Sequence, residues 1–348
     1  MSDDNTLTVA VEDHLAAPPL SPGVGARRKG PKTLPRLPLS AFSPPNSGVS
    51  ESFPLPPSPS TVHPDRVVDA SVSVLTEWKK QAASAKDLEG RAGAIVVKVA
   101  TAAEVDGLEA HGVPILSAQV PFNLEDPELP TLPSAKFPVG LATTFTKPTE
   151  AAIKGLAAAL KAGHIVDIDV QVDVADGDKA WEGLEEFLTK ATADTAGAGT
   201  IVLSNILPPP HDLELPIVKL LSHPTYMSYQ AHVASLSLFP NLFLKFLPPT
   251  WNAPTPPTPP PGQETAAISK EKKEWKRRIK MYLGPAVEAF GFQRVLFGSS
   301  PSPTSHASST LGDWYEIARE SFGELGVEQA DVDAVFGGNA SRVYAPRP

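Results

Sequence analysis

Short runs of β-branched and other apolar residues recur along the chain from Val67 onward, separated by longer stretches rich in alanine, leucine and glutamate. The first pattern is typical of buried strands and the second of amphipathic helices. The predicted strands are Val67–Leu75, Ala94–Ala100, Pro138–Phe145, Ile165–Val174, Thr200–Ile206, Leu242–Leu247 and Arg294–Gly298, with Ile115–Val120 as a weaker eighth. The predicted helices are Glu150–Ala162, Lys179–Ala193, Pro224–Leu238, Ser269–Phe290 and Asp313–Leu325.

This alternation predicts an α/β fold made of repeated βα units around a parallel sheet. Seven or eight units in about 280 residues fit a (β/α)8 TIM barrel better than an open sheet. A doubly wound open sheet is the alternative. That fold is expected to carry a glycine-rich phosphate loop after an early strand, and the sequence has none.

The 39 prolines are unevenly placed, with dense clusters in residues 18–64 and 248–261. Proline fixes φ and removes a backbone donor, so neither segment can be a helix or a central strand. We therefore predict a proline-rich, largely disordered N-terminal arm over residues 1–63 and the barrel over residues 64–348. Leu7–Val11 could add an edge strand to the barrel. Pro248–Pro261 follows the seventh strand, where it is either a semi-rigid lid over the barrel mouth or a simple insertion.

One segment of the arm predicts a protein partner. Lys32–Pro38 fits the basic-x-x-Pro-x-x-Pro pattern by which a polyproline helix binds an SH3-type groove. Such matches arise by chance in proline-rich arms, so a plain linker is the alternative.

Composition narrows the other partners. With a net charge of −9 and a pI of about 5.4, the chain gives no electrostatic reason to bind nucleic acid or an anionic membrane surface. The absence of cysteine excludes disulfides and thiolate zinc sites, which leaves histidine and carboxylate as metal ligands. The polar N-terminus has no secretory signal, and no apolar run approaches the roughly 20 residues of a membrane helix. We expect a cytoplasmic protein that binds a small molecule.

The end of the chain carries a family resemblance. Leu296–Pro301 and Gly338–Tyr344 resemble the last barrel strand and the closing segment of the metal-dependent amidohydrolase-related family, which read Phe-Gly-Ser-Asp and Asn-Ala-x-Arg-x-Tyr. The resemblance covers roughly residues 64–346 and implies a TIM barrel that hydrolyses or decarboxylates small organic substrates. It also implies a catalytic aspartate at the position that Ser300 occupies here.

Three further segments resemble the same family. Val67–Ser73 is similar to the first strand, Asp-x-His-x-His, with Ser71 and Ser73 at the metal-binding histidines. Thr200–Asn205 is similar to a strand that ends Asp-His, with Asn205 at the histidine. Phe239–Lys245 is similar to Pro-Asn-x-x-x-Lys, and Lys245 is kept.

These substitutions predict that the usual metal site is lost. Neutral hydroxyls and an amide have no charge to offset the dehydration of a divalent cation, and a serine has no accessible pKa for general-base work. We therefore expect a degenerate barrel that binds no cofactor. Such a protein would have the fold of a hydrolase but would be a pseudoenzyme. An active metal-dependent hydrolase with ligands elsewhere, which would hold zinc or another divalent ion, is one alternative. A non-enzymatic adaptor that uses the proline-rich arm is another.

Strand periodicity predicts polar groups inside the barrel. Period two puts Asp167, Asp169, Gln171 and Asp173 on one face of the fifth strand. On the first strand Asp69, Ser71 and Ser73 share the corresponding face, and Lys98 and Lys245 are lone cations in apolar strands. Since an unpaired buried charge costs several kcal/mol, we expect Lys98 and Lys245 to pair with some of Asp69, Asp169 and Asp173. Outward-facing lysines and a half-exposed aspartate strand are the alternative.

These considerations give the candidate site. The predicted catalytic residues are Asp69, Asp173, Lys245 and Ser300, and the predicted substrate-binding residues are Ser71, Ser73, Lys98, Gln171 and Asn205. Outside this site, the charged run Lys270–Arg278 is predicted to be a solvated helix face.

Overall fold

A computed structural model describes residues 58–126, 128–172, 177–195, 197–259 and 262–345. Leu7–Val11, Lys32–Pro38 and Asp173 therefore lie outside the described residues, and the predictions made for them stay predictions. Within the described ranges, no helix is both long enough and apolar enough to cross a bilayer.

Eight parallel strands form one sheet in chain order, from β1 to β8. They are β1 (Val67–Val72), β2 (Ala92–Lys98), β3 (Ile115–Pro121), β4 (Val139–Phe145), β5 (Ile165–Val170), β6 (Thr200–Leu207), β7 (Leu242–Phe246) and β8 (Val295–Phe297). Just beyond β8, the Ser300 amide donates to the Ser71 carbonyl of β1 at 2.9 Å. The sheet is thus a nearly closed barrel, and the predicted (β/α)8 fold is confirmed.

Helices cover the outside of the sheet. They are α1 (Leu75–Ser84), α2 (Glu150–Lys161), α3 (Asp178–Thr192), α4 (Ile217–Leu220), α5 (Pro224–Leu236), α6 (Ala266–Phe290), α7 (Leu311–Gly323), α8 (Gln329–Asp333) and α9 (Asn339–Tyr344). A 3-10 segment, Ala102–His111, connects β2 to β3. The five helices predicted from the sequence are all present.

The first strand is shorter than its sequence predicts. The apolar run Val67–Leu75 reads as one strand, but β1 ends at Val72 and α1 begins at Leu75. The register between β1 and β2 also shifts between Asp69 and Val72, as in a bulge. Because a bulge breaks the alternation of side chains, residues on its two sides no longer share one face.

The amino-terminal end of the barrel is closed by the last helix. Val343 and Tyr344 of α9 pack with Val68, which lies near the start of β1. The Asn339 amide donates to the Phe292 and Val295 carbonyls at 2.7 and 2.8 Å, which ties α9 to the start of β8. The opposite end, where the strands have their carboxyl termini, is therefore the mouth available for a site.

The charged run on α6 is only partly solvated, so that prediction is wrong for Lys272, Lys276 and the buried Arg278. Lys272 and Lys276 face α7, and the side chain of Lys276 is only 12% exposed. Lys276 Nζ lies 2.7 Å from a carboxylate oxygen of Glu320, and Lys272 Nζ lies 3.6 Å from the other. The lysines thus join the two helices, which composition alone could not indicate.

Candidate functional site

Three of the four positions implied by the family resemblance meet where β1 and β8 close the barrel. The Ser300 amide donates to the Ser71 carbonyl, and Ser71 Oγ donates to the Ser300 carbonyl at 3.4 Å. Ser300 Oγ accepts a hydrogen bond from the Ser73 amide at 3.0 Å. A side chain at Gly298 would place its Cβ 2.8 Å from Ser71 Cβ, so this close approach requires glycine.

The fourth position, Asn205, lies near the carboxyl end of β6. Its φ of 63° is left-handed, a conformation that asparagine tolerates better than most residues. The Asn205 amide nitrogen donates to the Val170 carbonyl at 2.8 Å, and its oxygen accepts from Thr250 Oγ1 at 3.2 Å. Asn205 thus connects the ends of β5 and β6 to the proline-rich loop after β7, at the same end of the barrel as the serines.

Asp69 is not on the inner face with Ser71, so its predicted orientation is wrong. Its carboxylate accepts hydrogen bonds from Trp78 Nε1 of α1 at 2.8 Å, from the Ser299 amide at 2.9 Å and from the Ser299 hydroxyl. Burial raises the pKa of Asp69, and the hydrogen bond from the Ser299 hydroxyl opposes that shift. The bulge in β1 explains the outward orientation, which makes Asp69 a support for the β1–β8 junction.

Lys245 lies inside the barrel and forms an ion pair with Asp167 of β5. Its side chain is 0% exposed. The other oxygen of Asp167 accepts a hydrogen bond from the Tyr344 hydroxyl at 2.6 Å, and Lys245 Nζ lies 5.6 Å from the centre of the Tyr344 ring. Burial lowers the pKa of Lys245 to about 8, against the opposing effect of the Asp167 charge. An internal lysine–aspartate pair is present, but Asp167 was not among the partners that the sequence analysis named.

Asp169 lies closer to the mouth than Asp167 on the same strand. One carboxylate oxygen accepts hydrogen bonds from Gln171 Nε2 and Ser302 Oγ, both at 2.9 Å. Ser302 belongs to the loop between β8 and α7, so this loop reaches across the mouth to β5. On β6, Ser204 is the register partner of Asp169.

Sequence reasoning missed both Ser204 and Ser302. The strand periodicity of β6, aligned with that of β5, could have indicated Ser204. No local signal indicates Ser302, because its contact with Asp169 joins residues that are 133 positions apart in the chain.

Lys98 ends β2 and is the register partner of Gln119 on β3. Val96, two residues earlier on β2, packs with Val202 and Leu296 inside the barrel, so period two puts Lys98 on the inner face as well. The positive charge of Lys98 contributes to the lowered pKa of Lys245. In the part of the chain that the structure describes, Lys98 forms no ion pair with an aspartate. The predicted pairing of Lys98 is therefore absent for Asp69 and Asp169, and it stays a prediction for Asp173, which lies outside the described residues.

The four positions do not fit a divalent metal ion. Ser71, Ser73, Asn205 and Ser300 offer neutral oxygen atoms, and Ser71 Oγ and both ends of the Asn205 amide are already hydrogen-bonded within the protein. Zinc sites in proteins use thiolate, imidazole and carboxylate ligands. Across the described ranges, no group of three or more such side chains is arranged to hold an ion.

A cluster of side chains around His211 holds the loop after β6 beside the mouth. Arg278 Nη1 of α6 donates to Nε2 of His211, and His211 Nδ1 lies 2.9 Å from the Tyr282 hydroxyl. Trp251, from the loop after β7, packs edge-on against His211 and donates from Nε1 to the Pro209 carbonyl at 2.9 Å. Burial and the Arg278 charge lower the pKa of His211 to about 4.

We expect this cluster to make the protein less stable in mild acid. The pKa of His211 is 6.5 when unperturbed and about 4 in the folded protein, so between these values the unfolded chain binds a proton that the folded chain does not. The free energy of unfolding should therefore fall as the pH falls from 6.5 to 4. His211→Gln should remove this part of the decline in urea unfolding, whereas His306→Gln, at an exposed histidine, should not. An identical decline in H211Q would contradict the assignment.

No family model matches this sequence, and no curated protein sequence matches it either. Solved structures do match. A zinc-bound amidohydrolase from Burkholderia multivorans is 17% identical with a TM-score of 0.52, over 80% of this chain and 99% of that chain. The same protein with bound HEPES, in another space group, is 16% identical with a TM-score of 0.50 over the same shares of the two chains.

A third match is amidohydrolase 2 from Bifidobacterium longum subsp. infantis. It is 17% identical with a TM-score of 0.48, and the match covers 80% of this chain and 98% of that one. At such identities, similarity of structure establishes the fold alone. The strand order, the nearly closed barrel and the matches to the Burkholderia protein agree, and the chain therefore has the (β/α)8 fold of amidohydrolase-related proteins.

Proposed function

We propose that this chain is a hydrolase-like barrel protein that binds a small organic ligand at its mouth and has lost the divalent metal centre of active relatives. One observation carries the proposal. The positions that the resemblance assigns to the metal ligands and the catalytic carboxylate hold neutral side chains, and three of the four contact each other directly at the β1–β8 junction. The positions come together, but their chemistry has changed.

The change removes the usual source of hydroxide. A bound divalent ion lowers the pKa of water from 15.7 to about 7, and a nearby carboxylate then moves the proton. Neither Ser300 nor Asn205 can take a proton in this way at neutral pH. Ser300 Oγ accepts from the Ser73 amide, which leaves its own proton to donate to a ligand carbonyl.

The Burkholderia protein with the same fold contains bound zinc, and this difference gives a direct test. We expect the full chain, incubated with zinc or manganese and then desalted, to retain well below one ion per molecule by elemental analysis. Retention of one ion per chain would overturn the proposal and favour an active metal-dependent hydrolase with ligands elsewhere. Replacing candidate histidines and carboxylates one at a time would then locate that site.

A further inference from the structure

Two side-chain oxygen atoms in the mouth are buried without a hydrogen-bond partner among the described residues. They are Oδ1 of Asp169 and Oγ of Ser204. The residues are 5% and 1% exposed, and their Cα atoms are register partners on β5 and β6. Register partners in a parallel sheet have side chains on the same face, so the two side chains are neighbours on the inside of the barrel. A buried polar group without a hydrogen-bond partner lowers the free energy of unfolding, because the group has lost its hydrogen bonds to water.

Asp169 also lacks a cationic partner in the described part of the chain. Its hydrogen-bond donors, Gln171 and Ser302, are both neutral. Of the two strand lysines, Lys245 is fully buried and pairs with Asp167, and Lys98 is half-buried and forms no ion pair with Asp169. A buried carboxylate without a cation is strongly disfavoured, so a positively charged group from outside the protein would complete the site.

Asp167 provides the internal comparison. It lies two residues earlier on the same strand, is equally buried, and has Lys245 on one oxygen and the Tyr344 hydroxyl on the other. The burial of a charged group at Asp167 is therefore explained by its partners within the protein. The burial of Asp169 is not, because within the described ranges one of its oxygens and its charge have no partner.

The loop after β8 lies against Asp169. Ser302 Oγ, between β8 and α7, contacts Asp169 and lies 2.9 Å from Thr304 Oγ1. The same loop is joined to the segment after β7 by a hydrogen bond of 2.8 Å from Thr255 Oγ1 to Ser309 Oγ. A ligand would reach Asp169 from the mouth by moving this loop aside.

We propose that Asp169 Oδ1 and Ser204 Oγ bind the protonated amino group of a small organic ligand. An ammonium group has several N–H donors, so it can satisfy both oxygens and supply the missing positive charge. This inference rests on the proposed function, in which the mouth is a ligand site, and it adds the chemical class of the ligand.

Methylammonium chloride is the probe, with sodium acetate at the same ionic strength as the comparison. Titrated into the full chain and followed by NMR, methylammonium should bind and acetate should not. Asp169→Asn should weaken methylammonium binding about tenfold or more, since it removes one charge-assisted hydrogen bond. Ser204→Ala should weaken it less. Asp126→Asn, at an exposed carboxylate in the loop after β3, should leave it unchanged.

The stability of two matched variants gives a second readout. Asp169→Asn should raise the melting temperature because it removes an unpaired buried charge, whereas Asp167→Asn should lower it because Lys245 loses its partner. Equal methylammonium binding by wild type and D169N, or no binding by either, would overturn the inference, and so would destabilisation by D169N as large as that by D167N. Metal content measured on the same preparation tests the proposed function separately, since a bound ion would overturn that proposal without abolishing the effect of D169N.

Discussion

Lys245→Met is expected to lower the free energy of unfolding by about 3–5 kcal/mol, the usual consequence of removing one partner of a buried ion pair. Lys245 and Asp167 are both almost completely buried, and they join β7 to β5 inside the barrel. Without the lysine, Asp167 keeps only the hydrogen bond from Tyr344. Urea unfolding of the full chain, followed by circular dichroism, measures the loss.

The matching variants separate the cost of an uncompensated charge from that of an altered core. Lys245→Met combined with Asp167→Asn should recover a large part of the stability, because both charges are gone and asparagine still accepts from Tyr344. Lys98→Met removes a half-buried strand lysine that forms no ion pair with any described residue, and it should cost less than about 1 kcal/mol. Equal losses in K245M and K98M would show that the ion pair adds nothing to the fold.

The fold could be predicted because its signals are local. The alternation of strand and helix patterns located all eight strands, and the closing segment Asn339–Tyr344 indicated the barrel. The contact between Ser71 and Ser300 also followed from the sequence, because the resemblance placed both at the mouth. Adjacent strands in a barrel then bring such residues together without further information.

The orientation of individual side chains could not be predicted in the same way. The period-two pattern predicts the same orientation for Asp167 and Asp169. Only Asp167, which lies deeper in the barrel, contacts Lys245 and Tyr344. That choice depends on α9, whose Tyr344 lies 177 residues from Asp167 in the chain. Asp69 was misplaced for a related reason, since a bulge is a property of the pairing between strands and leaves no mark in a single apolar run.

Restoring the family residues at all four positions is expected to create a zinc site. The variant carries Ser71→His, Ser73→His, Asn205→His and Ser300→Asp, which together supply three imidazoles and a carboxylate, ligands that zinc prefers. Because Ser300 already contacts positions 71 and 73 at the mouth, the new ligands should need little rearrangement of the backbone. Zinc affinity, measured by competition with a chromophoric chelator, should rise at least roughly a thousandfold above that of the unaltered chain.

Partial variants show which positions form the centre. The pair S71H/S73H should bind zinc much more weakly than the full set, and adding Ser300→Asp should tighten binding because the carboxylate offsets the charge of the ion. If Asn205→His adds nothing to the other three, the end of β6 lies outside the centre and the correspondence proposed for Thr200–Asn205 is wrong. Binding should also tighten from pH 6 to pH 8, since zinc must displace protons from imidazole. A full variant that folds but binds no more zinc than the unaltered chain would contradict the proposal that these four positions correspond to a lost metal centre.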